Sequence, residues 1–272
     1  MKHKGIILLS TVMVFVLATV VSFVWLFKIR HVEIDVVAEA ASEIATYDKV
    51  NGLMEDTYKG RSFFSVKESD VTKTLSEDPY LNVKSVKKVF PDRLKIQVER
   101  RKERFAILYN SEYYITDSEY YLLKKVAVDS EIEEGIIKIT LTNITLDVDT
   151  LVLGQKIGAG NDVLVGRMTA IFAGFEDGLN LVKNVTVMGD QNWIRFNTKT
   201  GVIIEFSFVA SDPKLSEDDK NAEAEAVVSK AGEVEKAYHT LSEDNKRSGF
   251  LLVYTKANKE IVIEHTTKHA QK

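Results

Sequence analysis

The first constraint on this chain is a long run without charge. Gly5 to Phe27 reads GIILLSTVMVFVLATVVSFVWLF. As a helix rising about 1.5 Å per residue, that run matches the roughly 30 Å hydrocarbon core of a bilayer. Trp25 and Phe27 stand at its far end, where aromatic rings favour the membrane interface. A cleaved signal peptide fits less well. Its apolar region is about 7–15 residues long, and the cleavage-like Ala38-Glu39-Ala40 lies well beyond the run. The reading is a retained anchor over residues 5–27, after a short basic tail of residues 1–4. Lys2 and Lys4 on one side match Lys28 and Arg30 on the other, so counting positive charges leaves the orientation nearly balanced. The α-amino group tips it slightly toward an N-terminus inside.

Composition constrains the rest. The chain has 272 residues, 45% hydrophobic and 28% charged, which is the balance of a folded protein rather than a disordered one. A net charge of −4 gives no bulk attraction to nucleic acid. There is no cysteine, so disulfides, thiolate metal sites and thiol nucleophiles are excluded.

Beyond the anchor, "IRHVEIDV" (29–36) alternates apolar and polar residues and predicts a strand. Residues 38–58 predict a helix, with Asn51-Gly52 as a candidate break. "KGRSFFSV" is a short extended piece. Ser69 precedes a second helix carrying Val71 and Leu75, which stops before Pro79. Two strands follow, 83–90 and 94–100, turned at Phe90-Pro91-Asp92 with Pro91 suited to a turn. Leu94, Ile96 and Val98 share one face of the second strand and Arg93, Lys95, Gln97 and Glu99 the other. The first strand alternates less cleanly around Lys88, which suggests a bulge.

From Phe105 the pattern changes. A tyrosine-rich hairpin, "FAILYNSEYYITDSEYYLLKK", comes first, then strands near 136–141 and 144–148. A helix is expected over 161–176, with Val165, Met168, Ile171, Phe172 and Phe175 on one face. Strands at 181–188, 192–197 and 201–208 lead to a long helix over 217–241, opened by a Ser216/Asp219 variant of the capping box. Strands at 250–254 and 260–264 precede a polar tail, 265–272.

No catalytic constellation emerges. His265 and His269 have helical i,i+4 spacing but sit in a polar tail without the glutamate of a zinc-protease motif. The glycines at 154, 158, 160 and 166 lack nucleotide-fingerprint spacing. The carboxylate runs at 131–134 and 217–219 read as solvated faces and helix-dipole partners. No cofactor or metal is expected.

Several segments together carry a resemblance: "KGRSFFSV", "LSEDPYLNVKSVKKVFPDRLKIQVERR" and "YYITDSEYYLL". Pro79-Tyr80, the Phe90-Pro91-Asp92 turn and the Leu-x-Ile-x-Val-x-Glu-Arg strand from Leu94 are the most specific parts. The Gly60…Phe63-Phe64…Val66 stretch fits with Phe63 where the family has Leu. The chain resembles the bacterial cell-division family FtsQ/DivIB. The resemblance implies an α+β fold: an N-terminal transmembrane helix (5–27), a POTRA domain of β-α-α-β-β order (28–101), and a mixed β domain with two covering helices (102–264). It implies no enzymatic activity, a cytoplasmic N-terminus with the bulk outside, and a place at the division septum. The expected partners are FtsL/DivIC-like and FtsB-like bitopic proteins, joined by strand addition in support of septal peptidoglycan synthesis. The alternatives are a membrane-anchored surface enzyme or a POTRA-bearing assembly component.

The family's important Tyr falls on Tyr254. Its Trp falls near Val262, so that aromatic is missing, and Glu260 and Ile261 replace its glycines. The candidate partner-binding residues are Phe250, Leu252, Tyr254, Ile261, Val262 and Ile263. Lys87, Arg93 and Lys95 form a second candidate, a basic face on the POTRA hairpin.

Overall fold

The computed structural model describes residues 2–38, 40–146, 149, 151–157 and 163–267; of residues 2–10, 20, 23, 24, 40 and 41 it describes the backbone alone. The chain divides into two compact units, Met1–Arg101 and Lys102–Lys272.

The first unit begins with helix α1 (Lys2–Leu26). The expected span over 5–27 falls partly on residues outside those whose side chains are described. Among the described residues, no helix is long and apolar enough to cross a membrane. Strand β1 (His31–Val37), helices α2 (Ala40–Tyr58) and α3 (Glu68–Ser76), and strands β2 (Leu81–Val89) and β3 (Arg93–Arg100) follow. The sheet order is β1-β3-β2, with β3 parallel to β1 and antiparallel to β2. The parallel pair requires a crossover, which α2 and α3 supply. Their buried Val50, Met54, Tyr58, Val71 and Leu75 meet Leu94, Ile96 and Val98 of β3 in one core. Each such side chain contributes about 1.5–3 kcal/mol by leaving water.

Three local expectations shift. α2 runs unbroken through Asn51-Gly52. Gly52 is exposed and open around its Cα, so the helix tolerates it and packing of its neighbours holds the helix on. α3 starts at Glu68 behind Lys67, and Ser69 lies in its first turn beside Glu68 and Asp70, which suit the helix dipole. The bulge in β2 lies between Val83 and Ser85, earlier than Lys88. Lys88 instead turns inward at its tip, donating from Nζ to the carbonyls of Phe63 (3.0 Å) and Val66 (2.8 Å).

The second unit is a nine-stranded sheet in the order β12-β11-β10-β9-β8-β7-β4-β5-β6. Its strands are β4 (Phe105–Tyr109), β5 (Glu112–Thr116), β6 (Leu122–Val126), β7 (Ile137–Thr142), β8 (Val182–Met188), β9 (Trp193–Thr198), β10 (Ile203–Ser207), β11 (Phe250–Thr255) and β12 (Ile261–Thr266). Three pairings are parallel: β4 with β7, β7 with β8, and β10 with β11. Helices α4 (Val163–Gly174) and α5 (Gly178–Leu181) bridge β7 to β8; α6 (Glu217–Val228), α7 (Ala231–Thr240) and α8 (Glu243–Lys246) bridge β10 to β11.

α4, α6 and α7 bury Met168, Ile171, Val227 and Val234 against Ile139, Val185, Ile194, Phe196, Ile204 and Leu251. Phe172, Phe175, Phe196 and Phe206 meet edge-on or tilted within this core, the geometry aromatic quadrupoles favour. The long helix expected over 217–241 is two helices, parted at Ser229 and Lys230. Ala231 lies against Gly174, where a Cβ would stand 2.7 Å from that of Ala231. That close approach sets the start of α7 directly against the end of α4. Ser216 Oγ caps α6 by accepting from the Asp219 N–H at 3.2 Å and donates to the Asp219 carboxylate at 2.6 Å. The strand expected over 144–148 does not form at 144–146, where Ile144 and Leu146 join the core from a loop; residues 147 and 148 lie outside the described ones.

Candidate partner-binding edge

Strand β12 closes one side of the nine-stranded sheet, and β11 is its neighbour. The register is antiparallel, from Phe250 opposite Thr266 to Thr255 opposite Ile261. Side chains alternate across the sheet. Leu251 and Val253 are buried in the helix-covered core, and Ile261 and Ile263 pack against that same core. Phe250, Leu252, Tyr254 and Val262 therefore take the opposite face, all half-buried. The six candidate residues fall into two groups: four on the face away from that core, two toward it.

The backbone alternates as well. Lys256 donates its N–H to the Glu260 carbonyl at 2.8 Å, closing the hairpin. Counting back from that bonded pair, 254/262, 252/264 and 250/266 are the bonded pairs of the ladder. Ile261, Ile263 and His265 then direct their N–H and C=O groups away from β11, to the sheet's edge. On the other side of β11 the phase agrees, since Ile203 N–H donates to the Gly249 carbonyl at 3.0 Å. Among the described residues no strand pairs with that edge of β12. Such a row is a template for an added strand.

The face away from the core, beside the edge, carries polar groups that sequence alternation alone did not single out. Arg195 of β9 lies opposite Glu205 of β10 and donates from Nε to Oε2 at 2.5 Å. The Arg195 guanidinium also sits 3.9 Å from the Trp193 ring centroid and 5.8 Å from that of Phe250. Glu205 is only 7% exposed. The signal was present: alternation around Ile194/Phe196 and Ile204/Phe206 turns both charges outward, but their opposition depends on register. Nearer the edge, Tyr254 Oη donates to Glu264 Oε2 at 3.2 Å. Partial burial and then the Glu264 carboxylate push the Tyr254 phenol above its ordinary value.

Two of the three residues of the second candidate, the hairpin's basic face, are ion-paired in place. Lys87, Arg93 and Lys95 are exposed. Arg93 and Lys95 both reach Glu33 of β1, at 2.8 and 2.9 Å. Those hydrogen bonds, Lys95 first and Arg93 second, hold the Glu33 carboxyl below its ordinary value. Lys84 pairs with Glu99 at 2.7 Å and Gln97 donates to Asp35 at 3.1 Å. Lys84, Arg93 and Lys95 thus stand in charge pairs that span the three strands. His265 has its Nε2 3.4 Å from the Ser248 carbonyl; His269 lies outside the described residues.

A search of curated proteins finds no match. The family described as POTRA domain, FtsQ-type, matches residues 27–101. That match covers the β1-α2-α3-β2-β3 unit and supports the resemblance read from Phe90-Pro91-Asp92 and its flanking strands: residues 27–101 are similar to the POTRA domain of the FtsQ type.

Proposed function

We propose that this protein is a non-enzymatic scaffold of the bacterial division machinery, of FtsQ/DivIB type. It is held in the cell membrane by residues 5–27, with residues 1–4 in the cytoplasm and the POTRA domain (28–101) and β domain (102–264) outside, at the septum. The observation that carries this reading is the edge of β12 beside the Phe250–Leu252–Tyr254–Val262 face, on a chain whose POTRA domain is FtsQ-type. An FtsL/DivIC-like or FtsB-like segment adds as a strand along Ile261, Ile263 and His265, which is β-augmentation. Its alternate side chains meet Tyr254 and Val262. Assembly of these bitopic partners supports septal peptidoglycan synthesis. The basic POTRA face, with Arg93 and Lys95 already paired to Glu33, is assigned a solvated, fold-supporting role.

The test is capture of the partner from detergent-solubilised membranes. Tyr254→Asp places a charge against Glu264 on the binding face and should lower the recovered FtsL- or FtsB-type partner about tenfold, the equivalent of 1.4 kcal/mol. Tyr254 is half-buried on the face away from the helix-covered core, so the fold should survive, as circular dichroism would report. Undiminished capture would remove this face from the reading.

A further inference from the structure

The POTRA unit carries an apolar surface that the edge-strand reading leaves unused. Phe64 and Phe90 are 59% and 64% exposed. Both rings lie 5.3 Å from the ring of Phe27, the residue that follows α1. Phe63 completes the cluster at 5.7 Å from Phe64 and 6.0 Å from Phe90. Phe27 and Phe63 are buried, so two rings form a base and two point out.

The loops bearing these rings are bonded to the segment leaving α1. Phe63 N–H donates to the Phe27 carbonyl at 2.7 Å, Ile29 N–H to Arg61 at 2.9 Å, and Arg30 N–H to Asp92 at 2.9 Å. Lys28 and Ser62 form a β-bridge. The exit from α1 is thus part of the domain rather than a loose tether. Trp25, one turn back, is 64% exposed, and Arg30 donates to its carbonyl at 2.9 Å with its guanidinium 4.2 Å from the indole ring. Lys28 and Arg61 add positive charge beside the rings.

We propose that this end of the POTRA domain docks on the bilayer: Phe64 and Phe90, with Trp25, enter the headgroup layer of an anionic membrane, and Lys28, Arg30 and Arg61 pair with lipid phosphates. The occupant follows from continuity. The rings pack against the residue that ends the uncharged run, so whatever covers them lies at the level where α1 leaves the bilayer. Aromatic rings favour that level, and basic side chains there gain from the negative surface potential of anionic lipid. Docking fixes the axis of the domain. The Val89–Arg93 end of the sheet faces lipid and the Leu81–Arg100 end faces away. This inference rests on the reading of α1 as a membrane anchor.

The chain has no cysteine, so single reporters can be placed freely. Full-length protein carrying an environment-sensitive fluorophore at Ser65→Cys is reconstituted into vesicles of phosphatidylcholine and phosphatidylglycerol containing a headgroup-attached spin label. Ser65 is exposed next to Phe64, and both outward rings stay intact. A control label at Ser76→Cys sits at the far end of α3, beside the Leu81 end of β2. Quenching at position 65 should exceed that at 76 by roughly twofold or more, as expected for a group held within about 5–10 Å of the headgroup boundary. The excess should shrink in pure phosphatidylcholine and vanish with Phe64→Glu plus Phe90→Glu. A label at Val14→Cys, read against a deep acyl-chain quencher, tests the anchor separately. Quenching at 14 without excess at 65 overturns the docking and leaves the anchor standing. No quenching at 14 overturns both. Equal excess in neutral vesicles overturns the assignment to anionic lipid.

Discussion

At one side of the nine-stranded sheet, a returning segment bonds to the start of the outer strand. Leu122, at the start of β6, donates its N–H to Gln155 at 2.9 Å and accepts from Gly154 at 2.8 Å, while Ile157 donates to the Tyr120 carbonyl at 2.8 Å. At the other side, β12 directs the backbone of Ile261, Ile263 and His265 toward an edge that no described strand occupies. The same sheet thus shows both treatments of an edge. A few loop residues occupy the start of one, and no described segment does the same along β12. Open edges invite unintended pairing, and proteins generally protect them. An edge kept open next to an aromatic face fits one that is used.

Two substitutions act directly on this contrast. The larger effect is expected from Ile263→Pro. Proline is tolerated on an edge strand when the missing N–H points away from the sheet, as it does at 263. The variant should keep the β11–β12 ladder yet lose partner capture by about tenfold or more. Ile263→Ala, which retains the N–H and loses only side-chain packing, should still capture. Equal loss in both variants, measured in the same pull-down, would assign the effect to packing and not to strand addition.

Next is Gly154→Val, which attacks the bonded edge. Gly154 has φ +77 while its N–H bonds to Leu122. A β-branched residue there costs about 1–2 kcal/mol of backbone strain. Thermal unfolding should shift down by about 2–4 °C per kcal/mol for a unit of this size. Light scattering should show self-association as the strand loses this bonded segment. An unchanged melting point would mean that the segment contributes nothing to holding β6.

The smallest effect concerns the POTRA sheet, whose outer strand β1 is tied to β3 by side-chain ion pairs. Glu33 titrates below its ordinary value because Lys95 and Arg93 hydrogen-bond its charged form. A carboxyl lowered in the folded state contributes stability above its unfolded pKa and loses it as pH falls through the folded value. Glu33→Gln should therefore leave stability almost unchanged at neutral pH, because the pairs are exposed and screened, and should flatten the decline on acidification. A large loss at neutral pH would show these charge pairs to be structurally essential.

Much of the POTRA unit was legible in sequence because its signals are local. Leu94, Ile96 and Val98 mark a face by alternation, and the Phe90-Pro91-Asp92 turn fixes which strand pairs with which. The β unit was legible element by element but not in arrangement. Nothing local says that β10 runs parallel to β11 across a three-helix crossover, so the position of β12 at the edge required the fold. Ile261, Val262 and Ile263 are all apolar, so their alternation hides which of them face the core. Arg195 and Glu205, ten positions apart, meet only through register. The Ser229–Lys230 break was hidden because the Ala- and Glu-rich sequence around it favours helix on both sides.

The strand order also gives the sheet a direction of growth. After β4, β5 and β6 form a meander, β7 is laid on the far side of β4, and every later strand, from β8 to β12, is added outward on that same side. From β8 on, each strand borders the one before it in the chain. A bound partner would follow the same rule as a tenth strand, contributed by another molecule.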